Sequence, residues 1–431
     1  MRHFRHVQSG VFATSTKLTI VLFLMVAFKP LFVSAQAQAS RSFKVIHNFT
    51  GGKDGGYPYA GLVIDRAGNL YGTANLGGDL AAQCPPVNQG CGTLFELVRS
   101  KAGYSFRVLY AFRGGSDGQG PYGRVSIGPG GKLYGTTVGG GNQACPGGCG
   151  TVFRVSPPEN CIGRCPSDES VLYRFRGGND AYYPTGDLAF DPMGNIYGTT
   201  YLGANAGTVY QLTPANGKWT ESVLYNFTGQ NGTGGNPYSG VVLDSSGNLY
   251  GTTLSGGINL AGTVFELSPA GSGWQESTLF DFHSKKNGVS PQGGLMLATS
   301  GALIGVTEAD GSRDGGTVYK LDRSGSGWKL TTLYGLSGVG GDCGPWAKVI
   351  QDAAGNLYGT TQGYVPAGDY GMVFQLTHTS TGWKEIVLHR FSGGDGEVPY
   401  STLVFDSSGK LYGTTNLGGA HGYGVVFEIA P

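Results

Sequence analysis

The stretch Gly68-Asn69-Leu70-Tyr71-Gly72-Thr73 decides the fold, because close copies of it return along the chain. The seven copies centre on Tyr71, Tyr134, Tyr197, Tyr250, Ile304, Tyr358 and Tyr412. Successive centres lie 63, 63, 53, 54, 54 and 54 residues apart. A period of this length over almost the whole chain indicates a repeat architecture.

Each repeat is predicted to contain four strands, as residues 61–112 illustrate. The apolar run 61–65 is the first strand, and a turn that ends in glycine leads to the second strand, 69–74. A glycine-rich loop follows, and then come the third strand, 92–97, and the fourth, 104–112. Apolar residues show no helical period in the mature chain. Seven repeats of four antiparallel strands predict an all-β fold, a seven-bladed β-propeller.

The two ends of the repeat region predict how the ring closes. Residues 42–49 form a spare fourth strand, whereas the last repeat ends after its third strand, at residues 424–429. A solenoid would instead need capping repeats at its ends. We therefore expect the N-terminal strand to complete the last blade of a single domain, residues 42–431.

The repeated motif has a physical interpretation in such a ring. The tyrosine can bury its ring between blades while its hydroxyl finds a partner. The glycine beside it lets a neighbouring aromatic side chain approach the backbone. Ile304 replaces the tyrosine in one copy, and an isoleucine can pack but has no hydroxyl. The substitution favours a packing role for this position.

Residues 1–35 are predicted to be a secretory signal peptide. A basic segment precedes the apolar run 18–28, and small residues follow it, so we expect cleavage after Ala35 or Ala37. The alternative, a retained membrane anchor, would need a longer apolar run. We therefore expect a secreted, periplasmic or cell-surface protein that leaves the membrane once the signal is removed.

Charge and composition limit the classes of partner. The chain has 29 lysines and arginines against 28 acidic residues and lacks basic runs, which argues against nucleic acid. Its 79 glycines accompany an aromatic content of 12%, which is typical of a globular chain with many tight turns. We expect a monomer.

The cysteines lie mostly in close pairs. In an exported protein such pairs predict short-loop disulfides. The expected pairs are Cys84 with Cys91, Cys145 with Cys149, and Cys161 with Cys165. The alternative is a zinc site built from the last two pairs, although zinc prefers tighter Cys-x2-Cys spacing. Cys343 has no assigned partner.

The order of motifs GNLYGTT, GTVFEL, VLYNF and GG.DG..P resembles the GloVer tandem-repeat family of exported bacterial proteins. The resemblance covers residues 42–431, and all seven copies keep the same motif order. It implies a β-propeller and export, and it implies no reaction.

One face of the predicted ring is the expected site. The connections from second to third strand and from fourth strand to the next blade share this face, and we call it the variable-loop face. Its loops differ in length and carry most of the cysteines, whereas the turns of the opposite face are short and nearly uniform. Binding residues concentrate in variable loops on rigid scaffolds.

A repeated acid in the connections between blades has two interpretations. The acids are Asp54, Asp117, Asp180, Asp342 and Asp395. As a carboxylate ring near the channel mouth they would suit Ca²⁺ or sugar hydroxyls, whereas as turn residues they would be structural. Their repetition favours the turn, so no cofactor is expected and Ca²⁺ is the alternative. The acids of the opposite turns, such as Asp65, are also predicted to be structural.

The proposed ligand-binding residues are Asp342, Trp346, Asp395 and His421. A tryptophan outside the fourth strands could stack on a sugar, and loop carboxylates could bind its hydroxyls. Tyrosines at the starts of the first strands are expected to add aromatic side chains to the funnel at this face: Tyr57, Tyr122, Tyr183, Tyr238 and Tyr400. His421 with Asp395 or Glu397 could instead form an acid–base pair. The string Gly114 to Gly118 matches G-x-S-x-G but lacks the strand-to-helix elbow of a nucleophile.

Two classes of function remain open at this stage. The favoured hypothesis is a secreted binding module for a carbohydrate or a cell-surface partner. The alternative is a propeller enzyme, a lyase or hydrolase, with its site in the central funnel. An enzyme would show non-repeated polar groups that converge in the funnel, whereas a binding module would show an exposed aromatic or apolar patch on the variable-loop face.

Overall fold

The computed structural model describes residues 42–430 except 83, 85–88, 158–167, 231, 284–286, 339–343 and 366–367. Within these residues, seven antiparallel sheets of four main strands follow one another along the chain. They are the blades of a β-propeller, and we number them 1 to 7 from the sheet that begins at residue 63. The predicted fold class is confirmed. The signal peptide predicted at 1–35 lies outside the described residues.

The strand bounds repeat from blade to blade. The first strands are Val63–Ile64, Ser126–Ile127, Ala189–Phe190, Val242–Leu243, Leu295–Leu297, Ile350–Gln351 and Val404–Phe405. The second are Leu70–Ala74, Leu133–Gly139, Ile196–Thr200, Leu249–Thr253, Leu303–Thr307, Leu357–Thr361 and Leu411–Thr415. The third are Thr93–Ser100, Thr151–Ser156, Thr208–Ala215, Thr263–Ala270, Thr317–Ser324, Met372–Thr379 and Val425–Ala430. The fourth are Gly103–Ala111, Asp168–Arg174, Lys218–Asn226, Gly273–Asp281, Gly327–Gly335, Gly382–Arg390 and, in blade 7, Ser42–Asn48.

A few short elements supplement the blades. The extra strands are Gln119–Pro121, which pairs with the second strand of blade 2, and Gly234–Gly235, which pairs with Ser255–Gly256. Single-turn 3-10 helices that lie wholly within the described residues occupy Pro129–Gly131 and Gly178–Asp180. No helix among the described residues is long and apolar enough to cross a membrane.

Blade 7 closes the ring with strands from both ends of the chain. Ser42–Asn48 pairs antiparallel with Val425–Ala430, and the register places Phe43 opposite Ile429. The next residue, Phe49, is fully buried in the core between blades 7 and 1. The predicted closure by the N-terminal strand is confirmed.

The repeated tyrosine is buried in all six blades that have it, and in five of them its hydroxyl binds the aspartate of the preceding turn, whereas blade 2 has Gly128 at the aspartate position of Tyr134. Tyr71 is 5% exposed, and its hydroxyl donates to the carboxylate of Asp65 at 3.0 Å. The same carboxylate accepts the backbone N–H of Asn69 at 2.9 Å, so the turn acid has a structural role. Equivalent tyrosine–aspartate pairs are Tyr197–Asp191, Tyr250–Asp244, Tyr358–Asp352 and Tyr412–Asp406. In blade 5, Ile304 replaces the tyrosine, and Ala298 stands at the aspartate position.

The glycine after the tyrosine leaves room for an aromatic ring of the third strand. A Cβ built on any of these glycines would lie 2.4–2.6 Å from an atom of that side chain. The pairs are Gly72–Phe95, Gly135–Phe153, Gly198–Tyr210, Gly251–Phe265, Gly305–Tyr319, Gly359–Phe374 and Gly413–Phe427. All seven aromatic side chains are fully buried. The predicted close approach is therefore present in every blade.

Two glutamates of the fourth strands are half-buried beside other carboxylates. Burial, together with a smaller contribution from nearby Asp117, raises the pKa of Glu169 to about 7. Burial and Asp180 do the same to the pKa of Glu221, which is also about 7. One carboxyl oxygen of each glutamate is buried without a hydrogen-bond partner among the described residues. Both carboxyl groups therefore change protonation near neutral pH.

We expect the folded protein to lose stability as the pH rises from about 5 to 8. The folded pKa of both glutamates lies above the ordinary value of 4.5, so their protonated forms favour folding at low pH, and ionisation through pH 7 removes that contribution. Because both side chains are partly exposed, solvent screening limits the effect to about 1 kcal/mol each. The free energy of unfolding, measured with urea at several pH values in this range, should depend less on pH in the double variant Glu169→Gln, Glu221→Gln. Asp314→Asn, an exposed carboxylate, is the matched control. Parallel profiles for native protein and double variant would contradict this assignment.

Candidate functional site

The central channel contains a cavity of about 90 Å³, and all seven blades contribute to its lining. Each blade contributes the segment that leads into its first strand, which we call the lead-in segment. In each blade, one first-strand residue pairs with the repeated tyrosine or with Ile304. The residue four positions before that first-strand residue belongs to what we call the first tier. Its members are Tyr59, Tyr122, Thr185, Tyr238, Gln292, Trp346 and Tyr400. Two residues further on lies the second tier: Gly61, Arg124, Asp187, Gly240, Gly294, Lys348 and Thr402.

Aromatic side chains of the first tier contact one another across the channel. The rings of Tyr59 and Tyr122 are stacked, with 4.5 Å between their centroids. The ring of Tyr59 is also nearly parallel to that of Tyr400, with 5.8 Å between the centroids. Trp346 stacks on Tyr400 at 4.4 Å, and the hydroxyls of Tyr122 and Tyr238 share a hydrogen bond. Burial raises the pKa of Tyr400 to about 12, so its hydroxyl is neutral at ordinary pH. Trp346, one of the predicted ligand residues, therefore packs within the channel.

The second tier contains a charged cluster that departs from the repeat. A single oxygen of Asp187, Oδ2, accepts from Arg124 Nε at 3.2 Å and Nη2 at 3.1 Å, and from Lys348 Nζ at 2.9 Å. Lys348 comes from blade 6 and the other two residues from blades 2 and 3, so the cluster spans the channel. Burial alone would raise the pKa of Asp187, but the two cations outweigh it and hold the pKa at about 2.

The sequence prediction did not include these three residues. The equivalent residues of the other four blades are glycine or threonine, so an alignment of the repeats at this position would have marked the charges as exceptions. They are also the non-repeated polar groups that were expected of an enzyme. The cavity around them, about 90 Å³, is smaller than the roughly 300 Å³ at which small-molecule sites begin.

A larger cavity, about 390 Å³, lies on the variable-loop face between the loops of blades 1 and 2. Its volume is in the range of small-molecule sites, which begins at about 300 Å³. Its polar and aromatic lining consists of Tyr59, Tyr122, Tyr183, Asn75 and Gln119. No charged side chain is among the described residues that line it.

Two disulfides stabilise the loops around this cavity. Cys84–Cys91 closes the loop of blade 1 and lines the cavity, and Cys145–Cys149 closes the corresponding loop of blade 2. Both pairs were predicted from the sequence and are confirmed. Cys161, Cys165 and Cys343 lie outside the described residues, so the third pair stays a prediction.

Each lead-in segment has a positive φ angle at the residue before its proline. These residues are Tyr57, Gly120, Tyr183, Asn236, Ser290, Gly344 and Val398, with φ between 53° and 67°. Glycine adopts this conformation freely, whereas other residues are strained there. Tyr183, which lines the larger cavity, has φ 65° at a position where two other blades have glycine.

The acids between blades are used in turns, as the favoured interpretation predicted. Asp395 accepts the backbone N–H of Ser392 at 2.8 Å and contacts His389 Nε2 at 3.0 Å. The three other described acids bind the equivalent backbone N–H at 2.7–3.0 Å; they are Asp54, Asp117 and Asp180. Among the described residues, no group of three or more histidine, cysteine or acidic side chains is arranged to hold a metal ion.

The structure does not bring the predicted ligand residues together. Asp342 lies outside the described residues. His421 is exposed in its loop, and no described hydrogen bond or ring contact joins it to Asp395 or Trp346. The residues that do converge are the first-tier aromatics and Tyr183. Trp346 was predicted as a ligand residue, and Tyr122, Tyr183, Tyr238 and Tyr400 were expected to add aromatic side chains to the funnel, whereas Tyr59 was not singled out.

None of the curated proteins matches the chain. Among solved structures, it is similar to a candidate 6-phosphogluconolactonase from Bacteroides uniformis, with 15% identity over 76% of this chain and 84% of that one and a TM-score of 0.45. It is also similar to a candidate oxidoreductase (glucose dehydrogenase) from Thermus thermophilus, with 16% identity over 72% and 96% of the two chains and a TM-score of 0.43. At this similarity, neither protein indicates what the chain binds.

A family model gives a clear assignment. The model of the Gloeobacter/Verrucomicrobia repeat matches residues 33–233 and again residues 203–427. The two matches together cover nearly all of the seven blades, in agreement with the motifs that repeat in the sequence. The chain belongs to the Gloeobacter/Verrucomicrobia repeat family.

Proposed function

We propose that this protein is an exported binding protein that holds a small neutral saccharide in the cavity of the variable-loop face. The observation that carries the proposal is the composition of that cavity, which combines three tyrosines with two amide side chains and has no charged lining residue among those described. Aromatic rings stack on the apolar faces of sugars, and amides both donate to and accept from hydroxyls.

The side chain of Tyr183 supports the same proposal. All seven lead-in segments have the positive φ angle, so the strain, about 1 kcal/mol for an L-residue relative to glycine, belongs to the repeat. Gly120 and Gly344 occupy this position in blades 2 and 6, so the repeat does not require an aromatic side chain there, and Tyr183 lines the cavity. Its ring also lies near that of Tyr201, with 6.3 Å between the centroids.

Export is supported by two features of the chain. Disulfides such as Cys84–Cys91 persist in oxidising compartments outside the cytosol. The apolar segment at residues 18–28 has the length of a signal sequence. The alternative function, a lyase or hydrolase in the central funnel, has less support because the channel cavity, about 90 Å³, is below the roughly 300 Å³ of small-molecule sites.

The variant Tyr183→Gly separates binding from folding. It removes one aromatic wall and relieves the strained φ angle, so we expect saccharide affinity to fall at least tenfold while the midpoint of thermal unfolding stays equal or rises. Isothermal titration calorimetry with a panel of neutral mono- and disaccharides measures the affinity.

Tyr57→Gly is the matched control. Tyr57 has the same strained backbone in blade 1, but its ring contacts Tyr423 and does not line the cavity. This variant should keep the native affinity. A native protein that binds no saccharide of the panel at millimolar concentration would refute the proposal, as would unchanged binding by Tyr183→Gly.

A further inference from the structure

The charged cluster of the channel has more positive than negative charge. Arg124 and Lys348 are two cations, and Asp187 is the one carboxylate among the described residues that line the cavity. Arginine does not deprotonate in proteins, so the guanidinium charge is permanent. With Lys348 protonated, the cluster has a net charge of +1.

The cluster also has more hydrogen-bond donors than acceptors. A guanidinium has five N–H groups and an ammonium three, and all the contacts described here converge on one oxygen of Asp187. The indole Nε1 of Trp346, whose side chain lines the same cavity, is buried and has no partner among the described residues. Three residues with different kinds of donor therefore line one cavity, and its carboxylate is already shared by both cations.

The space beside the cluster suits a small ion. The other second-tier residues are three glycines and a threonine, so no large side chain fills the channel at that level. A cavity of about 90 Å³ is large enough for a halide ion with a water or for a small carboxylate. Placing the ion there would neutralise a partly buried excess charge, which is otherwise unfavourable.

We propose that the channel binds one small monovalent anion, of the size of chloride or formate, between Arg124, Lys348 and the indole N–H of Trp346. The anion would be the fourth charge of the cluster and would join blades 2, 3 and 6 across the centre of the ring. None of these three side chains lines the saccharide cavity, although Tyr59 and Tyr122 line both cavities, and the proposal does not rest on saccharide binding. The alternative is that Lys348 is neutral, in which case the cluster has no excess positive charge. Burial lowers the pKa of the Lys348 ammonium, whereas the nearby Asp187 raises it.

Chloride titration at constant ionic strength tests the proposal. Native protein is dialysed into sodium gluconate, whose anion is too large for the cavity, and gluconate is then replaced stepwise by chloride. Constant ionic strength removes the contribution of general screening. We expect the midpoint of thermal unfolding to rise by roughly 2–5 °C and then to saturate, as for a ligand that binds only the folded state.

Two variants assign the response to the cluster. Lys348→Met removes the excess charge, so the saturable rise should disappear. Lys410→Met changes the net charge equally but removes a lysine that pairs with Glu428 elsewhere in blade 7, so the rise should remain. A native protein without a saturable response would overturn the proposal, as would an equal response in Lys348→Met.

Crystals grown with bromide provide a test that does not depend on the folding of the variant. An anomalous peak within hydrogen-bond distance of both Arg124 and Lys348 is the expected result. A channel that holds only water in crystals grown with molar bromide would overturn the proposal.

Discussion

Deletion of residues 42–49 should destabilise the protein by more than about 5 kcal/mol, because it opens the ring. The deletion removes Phe49, which is fully buried, and leaves the strand Val425–Ala430 with an unpaired edge. It also removes two of the aromatic stacks between blade 7 and its neighbours, Phe43 on His389 and His47 on Phe106, with centroids 3.6 and 3.8 Å apart. Urea unfolding of the deleted and native proteins measures the loss.

Adding the missing strand separately controls for nonspecific damage. A synthetic peptide of residues 41–50 should restore part of the stability in a saturable way, because it can pair with the open edge. The same peptide with both phenylalanines replaced by alanine should not. If the deletion leaves the unfolding midpoint unchanged, blade 7 does not need its N-terminal strand for stability.

The second large effect is expected from Gly251→Ala in the second strand of blade 4. Its Cβ would lie 2.5 Å from Cζ of Phe265, closer than two unbonded carbon atoms can approach, and that ring is fully buried. Overpacking of this kind lowers stability by about 3 kcal/mol. Urea unfolding monitored by circular dichroism would measure it.

Two further variants identify the cause of that loss. In the same blade, Gly273 has 4.0 Å to the nearest atom and an ordinary φ angle, so Gly273→Ala should change stability by less than about 0.5 kcal/mol. Phe265→Leu combined with Gly251→Ala shortens the opposing side chain and should be more stable than the sum of the single changes predicts. Strict additivity of the two changes would show that the contact between them is not the cause.

Much of the fold follows from the repeat period and the chain ends. The Tyr71 motif, its glycine and the turn acids were predicted because each encodes a local constraint: a buried ring, a close approach and a turn. The spare strand at residues 42–49 predicted closure for the same reason, since an open sheet edge needs a partner. The first strands were predicted too long: residues 61–62 were assigned to a strand, and the structure begins it at Val63.

The candidate site was less predictable, because it depends on residues from different blades. The cluster of Arg124, Asp187 and Lys348 joins three blades, and no short stretch of sequence contains it. The tyrosines of the larger cavity likewise come from separate lead-in segments. Local patterns singled out repeated acids such as Asp395 as ligand residues. In the structure, Asp395 accepts a backbone N–H of its own turn.

The closure of blade 7 also bears on the order of events during synthesis. The strand Ser42–Asn48 is made among the first residues of the repeat region, whereas its partner Val425–Ala430 is made last. Until translation reaches that partner, the first strand has no neighbour with which to pair, and six complete blades end in an exposed edge. Contacts between such distant segments form slowly. The interval before they form is the time when the growing chain is most exposed to proteolysis and to pairing with other chains.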